Sequence, residues 1–202
     1  MAPMRNSTLQ MVGLPASEEA PHVPDDAELL RQIVRGNEAA FRELVQRHSR
    51  YLYGIAFSLT QNTADAEDVV QETFVAVLKS TFRGESAVRT WLVQILVRQA
   101  AMLRRSKLRK ATLTSSKDAR EGFEVAANQS AVAGSDARLD LAVMLKALSP
   151  EHRQVIVLRE VEEMTYDEIA TALSVPRGTV ESRLHRARME LRERFRGYLQ
   201  GS

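Results

Sequence analysis

The sequence predicts an all-α protein of two small helical domains joined by a flexible linker, the C-terminal domain being a helix-turn-helix. Apolar residues recur at helical spacing over residues 25–105 and again over residues 137–199. Between them, residues 106–136 are basic, then small and polar, without a sustained apolar stripe. Side chains that cap or stop helices divide each helical stretch, as expected for short helices packed against one another.

Four helices are predicted in the first domain, residues 25–105. Each begins at side chains that can cap it, namely Asp25 or Asp26, Asn37, Asn62 or Thr63, and Ser86. Gly36 stops the first helix, the third ends near Ser80, and the fourth passes through Trp91 to Leu103. Residues 1–24 show little periodicity and are predicted to be a disordered lead-in.

Four more helices are predicted in the second domain. The first is marked by the apolar residues Leu139, Leu141, Val143, Leu145 and Leu148. Ser149-Pro150-Glu151 then has the order of an N-cap, a first-turn proline and an acid near the positive end of a helix dipole. Thr165 and Glu168 form a capping box for a short third helix that ends near Leu173. After the break at residues 174–176, a final helix is predicted from Arg177 to Tyr198.

Composition excludes several classes of function. The 202 residues contain no cysteine, so disulfides, thiolate nucleophiles and cysteine zinc sites are excluded. No apolar run approaches the roughly 20 residues that cross a bilayer, and the N-terminus lacks the pattern of a secretory signal. The four histidines are scattered and no glycine-rich phosphate loop occurs. We therefore expect no catalytic centre, metal site or cofactor, no direct membrane binding, and a cytoplasmic location.

Charge is distributed unevenly along the second domain. Glu151–Ala170, called the acidic segment below, holds six acids against two arginines. Arg177–Tyr198 holds seven arginines against three acids. Neighbouring segments of opposite sign indicate one face suited to an anion and another kept away from it.

The final helix has the pattern of a DNA-recognition helix. Val180, Leu184, Ala187 and Leu191 recur on one face and should be buried. The residues near its start that then face outward are Thr179, Glu181, Ser182, His185 and Arg186, and the arginines placed to contact phosphates are Arg177, Arg183, Arg188 and Arg192. The alternative is an amphipathic helix whose arginines are solvated or paired with the acidic segment.

Several motifs in order resemble bacterial RNA polymerase sigma factors of the extracytoplasmic-function group, which keep only regions 2 and 4. They are Asp65-Ala-Glu-Asp-Val-Val-Gln-Glu-Thr-Phe74, Phe82-Arg-Gly-Glu-Ser86, Arg89-Thr-Trp-Leu92, Tyr166-Asp-Glu-Ile-Ala170 and Gly178-Thr-Val-Glu-Ser-Arg-Leu-His-Arg-Ala-Arg188. The resemblance covers roughly residues 25–105 and 137–198. It implies a subunit that directs core polymerase to promoters, with region 4 reading the minus-thirty-five element as duplex.

In the third helix, Val70, Phe74 and Val77 are predicted to be buried, which leaves an acidic face outside. By itself such a face is simply solvated. The resemblance implies instead that it docks on the clamp helices of the largest polymerase subunit, while region 4 meets the flap of the second subunit. The docking residues are then Asp65, Glu67, Asp68, Gln71, Glu72 and Val75, although Asp65 could merely cap its helix.

The same resemblance implies that the loop and fourth helix open the minus-ten element and hold flipped bases. The residues assigned to this role are Arg83, Arg89, Trp91, Arg98, Arg104 and Arg105. Trp91 could equally be a core anchor. Arg98 and Glu181 stand where the family often has asparagine and a basic residue, respectively. Glu181 either reads a different base or pairs with Arg177 or His185.

The resemblance also implies an anti-sigma factor, often membrane-anchored, which would hold the chain at the inner face of the membrane. Two rivals come from other classes. A free-standing helix-turn-helix regulator would bind palindromic operators without polymerase, and leaves Asp65–Trp91 unexplained. An all-α adaptor would bind protein and show no salt-dependent affinity for DNA.

Overall fold

The computed structural model describes residues 24–114 and 136–196, with side chains described for residues 24–112 and 141–196. Within these stretches the chain is helical, without a β-strand. The helices are α1 (Asp26–Val34), α2 (Glu38–Thr60), α3 (Thr63–Leu78), α4 (Val88–Thr114), α5 (Asp136–Ala147), α6 (Pro150–Ile156), α7 (Tyr166–Leu173) and α8 (Arg177–Arg194). The all-α prediction is confirmed. The predictions for residues 1–23, 115–135 and 197–199 lie outside the described residues.

The N-terminal domain, α1–α4, begins its first three helices at predicted caps. The Asp25 carboxylate accepts from the Glu28 backbone N–H at 2.7 Å, and Asn37 and Asn62 cap α2 and α3 in the same way. Leu44, Leu52, Leu92 and Leu96 are fully buried at the centre. α4 starts two residues after the predicted Ser86 and runs nine residues past Arg105, so the first part of the predicted linker is helical.

The C-terminal domain, α5–α8, follows the predicted order with two differences. Leu145 in α5 and Leu148 directly after it are buried, whereas Leu141 and Val143 of α5 are 42% and 59% exposed, so the predicted apolar stripe is narrower than expected. α6 continues into a π-helical turn at Val157–Val161 that the sequence pattern does not indicate. The capping box of α7 is present, and α8 ends at Arg194, four residues before Tyr198.

The two domains pack against each other. α6 contacts α2 and α7 contacts α4, and the buried residues of both domains join in one continuous cluster. Arg153 in α6 is 8% exposed and its guanidinium donates to backbone carbonyls, including that of Leu59 at the end of α2 at 3.3 Å. Burial lowers the pKa of Arg153, and these carbonyls satisfy its donors without a carboxylate.

Candidate nucleic-acid and protein interfaces

α3 presents an exposed, mainly acidic face, as predicted. The part of this face predicted to dock on polymerase, called the docking face below, comprises Glu67, Asp68, Gln71, Glu72 and Val75, all of them exposed. The opposite side of α3 is anchored in the core by Val69, Phe74 and Val77. Val69 is 1% exposed, and the predicted Val70 is partly buried and also packs against the core, so the buried stripe includes Val69, which the prediction left out.

Asp65 lies apart from the docking face. Its carboxylate forms an ion pair with Lys107 of α4, and its own backbone N–H is capped by Asn62 at 3.0 Å. The cap of α3 is therefore Asn62, and Asp65 is the acid in the first turn. Of the six residues predicted for docking, the structure brings five together and places Asp65 between α3 and α4.

A groove between α3 and α4 adjoins the docking face. It has a volume of about 250 Å³ and is lined by Asp68 and Glu72 on one side and by Gln99, Met102 and Leu103 on the other. Met102 is 55% exposed, so its apolar side chain is accessible in this groove. Sequence reasoning missed Met102. The sequence feature that could have identified it is its position four residues after Arg98. This places Met102 on the same exposed face of α4 as Arg98 and outside the apolar stripe through which α4 packs on the core.

The loop before α4 packs two aromatic rings together. Phe82 and Trp91 meet edge to face with centroids 5.4 Å apart, and both rings are partly buried against the core. Gly84, with φ at +74°, gives the loop its turn at a conformation that other residues rarely adopt. Arg83 beside it is exposed. The structure thus favours the core-anchor interpretation of Trp91, with one part of its ring still accessible.

The arginines predicted for the minus-ten element occupy different faces of α4. Arg98 and Arg105 are exposed and seven residues apart, so they share one face. Arg89 lies nine residues before Arg98, which at 3.6 residues per turn places it about 180° around the helix. Arg89 and Arg104 contact Glu162 and Glu151 of the C-terminal domain, respectively.

α7 and α8 form a helix-turn-helix. Ser174, in the left-handed conformation, ends α7, and Pro176 precedes α8. Val180, Leu184 and Ala187 are buried as predicted. On the outer side, Glu181, Ser182, His185 and Arg186 are exposed, and Thr179 and Arg183 are partly buried. The start of α8 therefore presents most of the predicted base-reading residues together.

Glu181 is paired with Arg177. The Arg177 Nε donates to Glu181 at 3.0 Å, and its Nη1 donates to Asp167 of α7 at 2.9 Å. These contacts, with Glu181 first, raise the pKa of Arg177. Of the two partners considered for Glu181, the structure has Arg177 and not His185. Arg177, which is predicted to contact phosphate, is therefore held in place by acids of both helices of the helix-turn-helix.

Some of the other polar side chains of α8 form contacts within the chain, and others are exposed without an ion pair among the described residues. The Ser182 hydroxyl donates to the Thr179 carbonyl at 3.0 Å, which leaves its oxygen free to accept from a base or water. Arg188 pairs with Glu160 of the acidic segment at 2.6 Å. Within residues 141–196, His185 and Arg186 form no ion pair. Two interpretations of the arginines of α8 were considered, contact with DNA and pairing with the acidic segment. Among the described arginines of α8, Arg177 and Arg188 form ion pairs with the acidic segment.

Two other kinds of site are absent from the described residues. Among the described residues, no group of three or more histidine, aspartate or glutamate side chains is arranged to hold a metal ion. None of the described helices combines the length and apolar character needed to cross a membrane.

Two family descriptions match the chain. "Sigma-70 region 2" matches residues 44–110, and "Sigma-70, region 4" matches residues 138–191. The first spans most of α2–α4, including the docking face. The second spans α5–α7 and most of α8, including the helix-turn-helix.

Individual relatives have the same character. The ECF RNA polymerase sigma factor SigE of Mycolicibacterium smegmatis is 36% identical, covering 78% of this chain and 63% of that protein. The RNA polymerase sigma factor NccH of Alcaligenes xylosoxydans xylosoxydans is 34% identical, covering 82% of this chain and 92% of that protein. The ECF RNA polymerase sigma-E factor of Escherichia coli is 30% identical, covering 81% of this chain and 90% of that protein.

Two solved structures have a similar fold. CnrH in complex with the cytosolic domain of CnrY superposes with a TM-score of 0.57 and 30% identity, covering 85% of this chain and 97% of that one. The sigma factor RpoE from Bartonella quintana, in complex with the anti-sigma factor NepR, superposes with a TM-score of 0.60 and 26% identity. The match covers 76% of this chain and 94% of that one.

Proposed function

Because the chain belongs to the extracytoplasmic-function family of RNA polymerase sigma factors, we propose that its two domains divide promoter recognition between them. The N-terminal domain docks on the clamp helices of core polymerase through the docking face and opens the minus-ten element with the loop before α4 and α4 itself. The C-terminal domain contacts the flap and reads the minus-thirty-five element with α8. The observation that carries this assignment is the presence, in one chain, of an exposed acidic helix face and an exposed recognition helix.

The groove beside the docking face supports the first assignment. An acidic rim next to an exposed methionine offers both charge complementarity to a basic partner and an apolar anchor. Arg98 and Arg105 are on an exposed face of α4, where they can follow DNA phosphates. Neither domain needs to bind DNA tightly, because tethering makes the second contact effectively intramolecular.

The same assignment bears on chemistry, partners and location. The chain acts through binding and carries no catalytic centre of its own, the bond-forming chemistry being that of the polymerase. It works in the bacterial cytoplasm, where core polymerase is. By analogy with the complexes of CnrH and RpoE, an anti-sigma factor binds the chain and holds it inactive until a signal releases it. When that anti-sigma factor is anchored in the membrane, the chain is held at the inner face of the membrane.

Footprinting tests this function against that of a free-standing regulator. We expect genomic fragments retained by the chain together with core polymerase to be protected at two separate elements upstream of a start site. The chain alone should protect neither at physiological salt. Protection of a palindromic site by the chain alone, unchanged when polymerase is added, would identify a dimeric helix-turn-helix regulator instead.

A further inference from the structure

A second groove in the N-terminal domain lies between α1 and the end of α3. Its volume is about 510 Å³, within the range of about 300–1,000 Å³ of pockets that hold small ligands. Val34 of α1 and Leu78 of α3 line it and are 73% and 56% exposed, so apolar side chains are accessible on both walls. The family description of region 2 starts at residue 44 and therefore assigns nothing to α1. This groove is called the α1–α3 groove below.

The α1–α3 groove is positively charged. Arg31, Arg35 and Lys79 line it and are exposed, and no aspartate or glutamate lines it among the described residues. Arg31 is paired with Glu28 at 2.9 Å, whereas Arg35 and Lys79 form no ion pair with the rest of the described chain. The groove between α3 and α4, by contrast, has an acidic rim. The two grooves that α3 borders therefore suit partners of opposite charge.

The antiparallel arrangement of α3 and α4 places the α1–α3 groove next to the loop before α4. Asp65 at the start of α3 pairs with Lys107 in the last part of α4, so the end of α3 lies near the start of α4. Phe82 of the loop lines the groove and also packs on Trp91, with ring centroids 5.4 Å apart. The groove is thus continuous with the loop that the proposed function assigns to opened bases.

The direction of α4 indicates which side of the minus-ten element the groove faces. The end of α4 leads through residues 115–135 to the C-terminal domain, which reads the upstream minus-thirty-five element in the proposed function. α4 has 27 residues, which span about 40 Å at 1.5 Å per residue. Its start, with the groove beside it, therefore faces downstream.

We propose that the α1–α3 groove binds single-stranded DNA of the opened promoter, just downstream of the minus-ten element. The proposal rests on the proposed function, because it requires the loop before α4 to hold the opened minus-ten bases. Arg35 and Lys79 are placed to contact phosphates of the strand that leaves this loop. Val34 and Leu78 can hold one of its bases between them, since unstacked bases insert between apolar side chains as well as aromatic ones.

Two other roles for these side chains make different predictions. Arg35 and Lys79 are the C-caps of α1 and α3, where a cation offsets the negative end of the helix dipole. That role concerns folding alone and leaves the exposure of Val34 and Leu78 unexplained. An acidic protein segment would also suit the groove, but the adjoining loop contacts nucleic acid in the proposed function, which favours DNA.

Binding of two oligonucleotides to polymerase that carries the full chain tests the proposal. Both have the non-template sequence of a promoter that the chain uses, since the polymerase itself takes up the template strand. The shorter ends with the minus-ten element, and the longer continues downstream for about eight nucleotides. Arg35→Glu with Lys79→Glu reverses two charges of the groove. The matched control, Arg42→Glu with Arg50→Glu, makes the same change at exposed side chains of α2 that form no ion pair among the described residues.

We expect the wild type and the control to bind the longer oligonucleotide about tenfold more tightly than the shorter one, and the groove variant to show no such gain. Two phosphate contacts on a single strand add about 1.4 to the slope of log affinity against log salt. The wild-type gain should therefore shrink about sevenfold between about 50 and 200 mM salt. A role in folding alone would change neither ratio, and thermal melting shows whether the variants remain folded.

The two oligonucleotides separate failure of the proposal from failure of the proposed function. Equal gains in the wild type and the groove variant, or no gain in the wild type, would overturn the proposal and leave the proposed function standing, because the shorter oligonucleotide reports on the minus-ten element alone. If the chain directs polymerase to no promoter, or its complex with polymerase binds neither oligonucleotide, the proposed function is rejected and the proposal with it.

Photocrosslinking identifies the occupant of the groove without reversing its charges. Val34→p-benzoylphenylalanine and Leu78→p-benzoylphenylalanine each place a photoreactive side chain on one wall, and open promoter complexes are irradiated. We expect crosslinks to the non-template strand within the nucleotides that distinguish the longer oligonucleotide. Crosslinks only to a polymerase subunit would show that the groove is a protein contact, and crosslinks to neither would show that nothing occupies it. Either result would overturn the proposal.

Discussion

Reversing two charges on the docking face, Asp68→Arg with Glu72→Arg, should abolish co-purification with core polymerase and leave the fold intact. Both side chains are exposed, lie one turn apart on α3 and form no ion pair among the described residues. Their loss therefore costs the folded chain little. Against a basic partner surface, two reversed charges replace attraction by repulsion, and we expect binding at least about 100-fold weaker. The measurement is recovery of polymerase subunits on a tagged chain, with thermal melting to show that folding is unchanged.

The control for this variant is Glu38→Arg with Glu193→Arg, which makes the same charge change away from the docking face. It should recover polymerase as the wild type does. A second variant, Met102→Gln, tests the groove and should weaken recovery without altering charge. Wild-type recovery by the Asp68→Arg, Glu72→Arg protein would show that α3 is not the docking element.

Replacing Glu181 by arginine should change which promoters are used. In the structure Glu181 holds Arg177, which also contacts Asp167, so the change removes an acceptor and repels Arg177 from its place. A carboxylate facing the major groove can also accept from cytosine N4, which arginine cannot do. Loss of one such discrimination corresponds to about 1–3 kcal/mol. We therefore expect about 5- to 150-fold changes in relative use of minus-thirty-five sequences, read by sequencing transcripts from a randomised element.

Two further variants separate the explanations. Glu193→Arg, on the same helix but near its C-terminal end, should leave the preference unchanged. In an Arg177→Ala background, Glu181→Arg should have little effect if Glu181 acts by positioning Arg177, and its full effect if Glu181 reads a base directly. An unchanged preference in Glu181→Arg itself would make Glu181 a bystander in promoter recognition.

Sequence reasoning succeeded where structure is determined locally. The caps Asp25, Asn37, Asn62 and Thr165 were identified because a helix start is decided by a side chain and the next three backbone N–H groups. The register of α8 was also right. Its apolar residues follow one another at clear spacing with charged residues on the other faces.

The errors arise where a more distant part of the chain decides the outcome. Val69 and Val70 are adjacent and equally apolar, and only the packing of α3 on its neighbours makes Val69 the more deeply buried of the two. Leu141 and Val143 are apolar but exposed on α5, which periodicity alone does not reveal. Arg89 and Arg104 were predicted to meet DNA from their place in a motif, yet their partners in the structure are 73 and 47 residues away in the chain.

The central claim is that this chain directs core polymerase to particular promoters, and transcription in vitro tests it most directly. The purified chain is mixed with purified core polymerase and a genomic promoter library, and the 5′ ends of the transcripts are sequenced. The account predicts a limited set of start sites that share two upstream elements, and their loss with the Asp68→Arg, Glu72→Arg protein. Transcripts identical in origin and amount with and without the chain would contradict it.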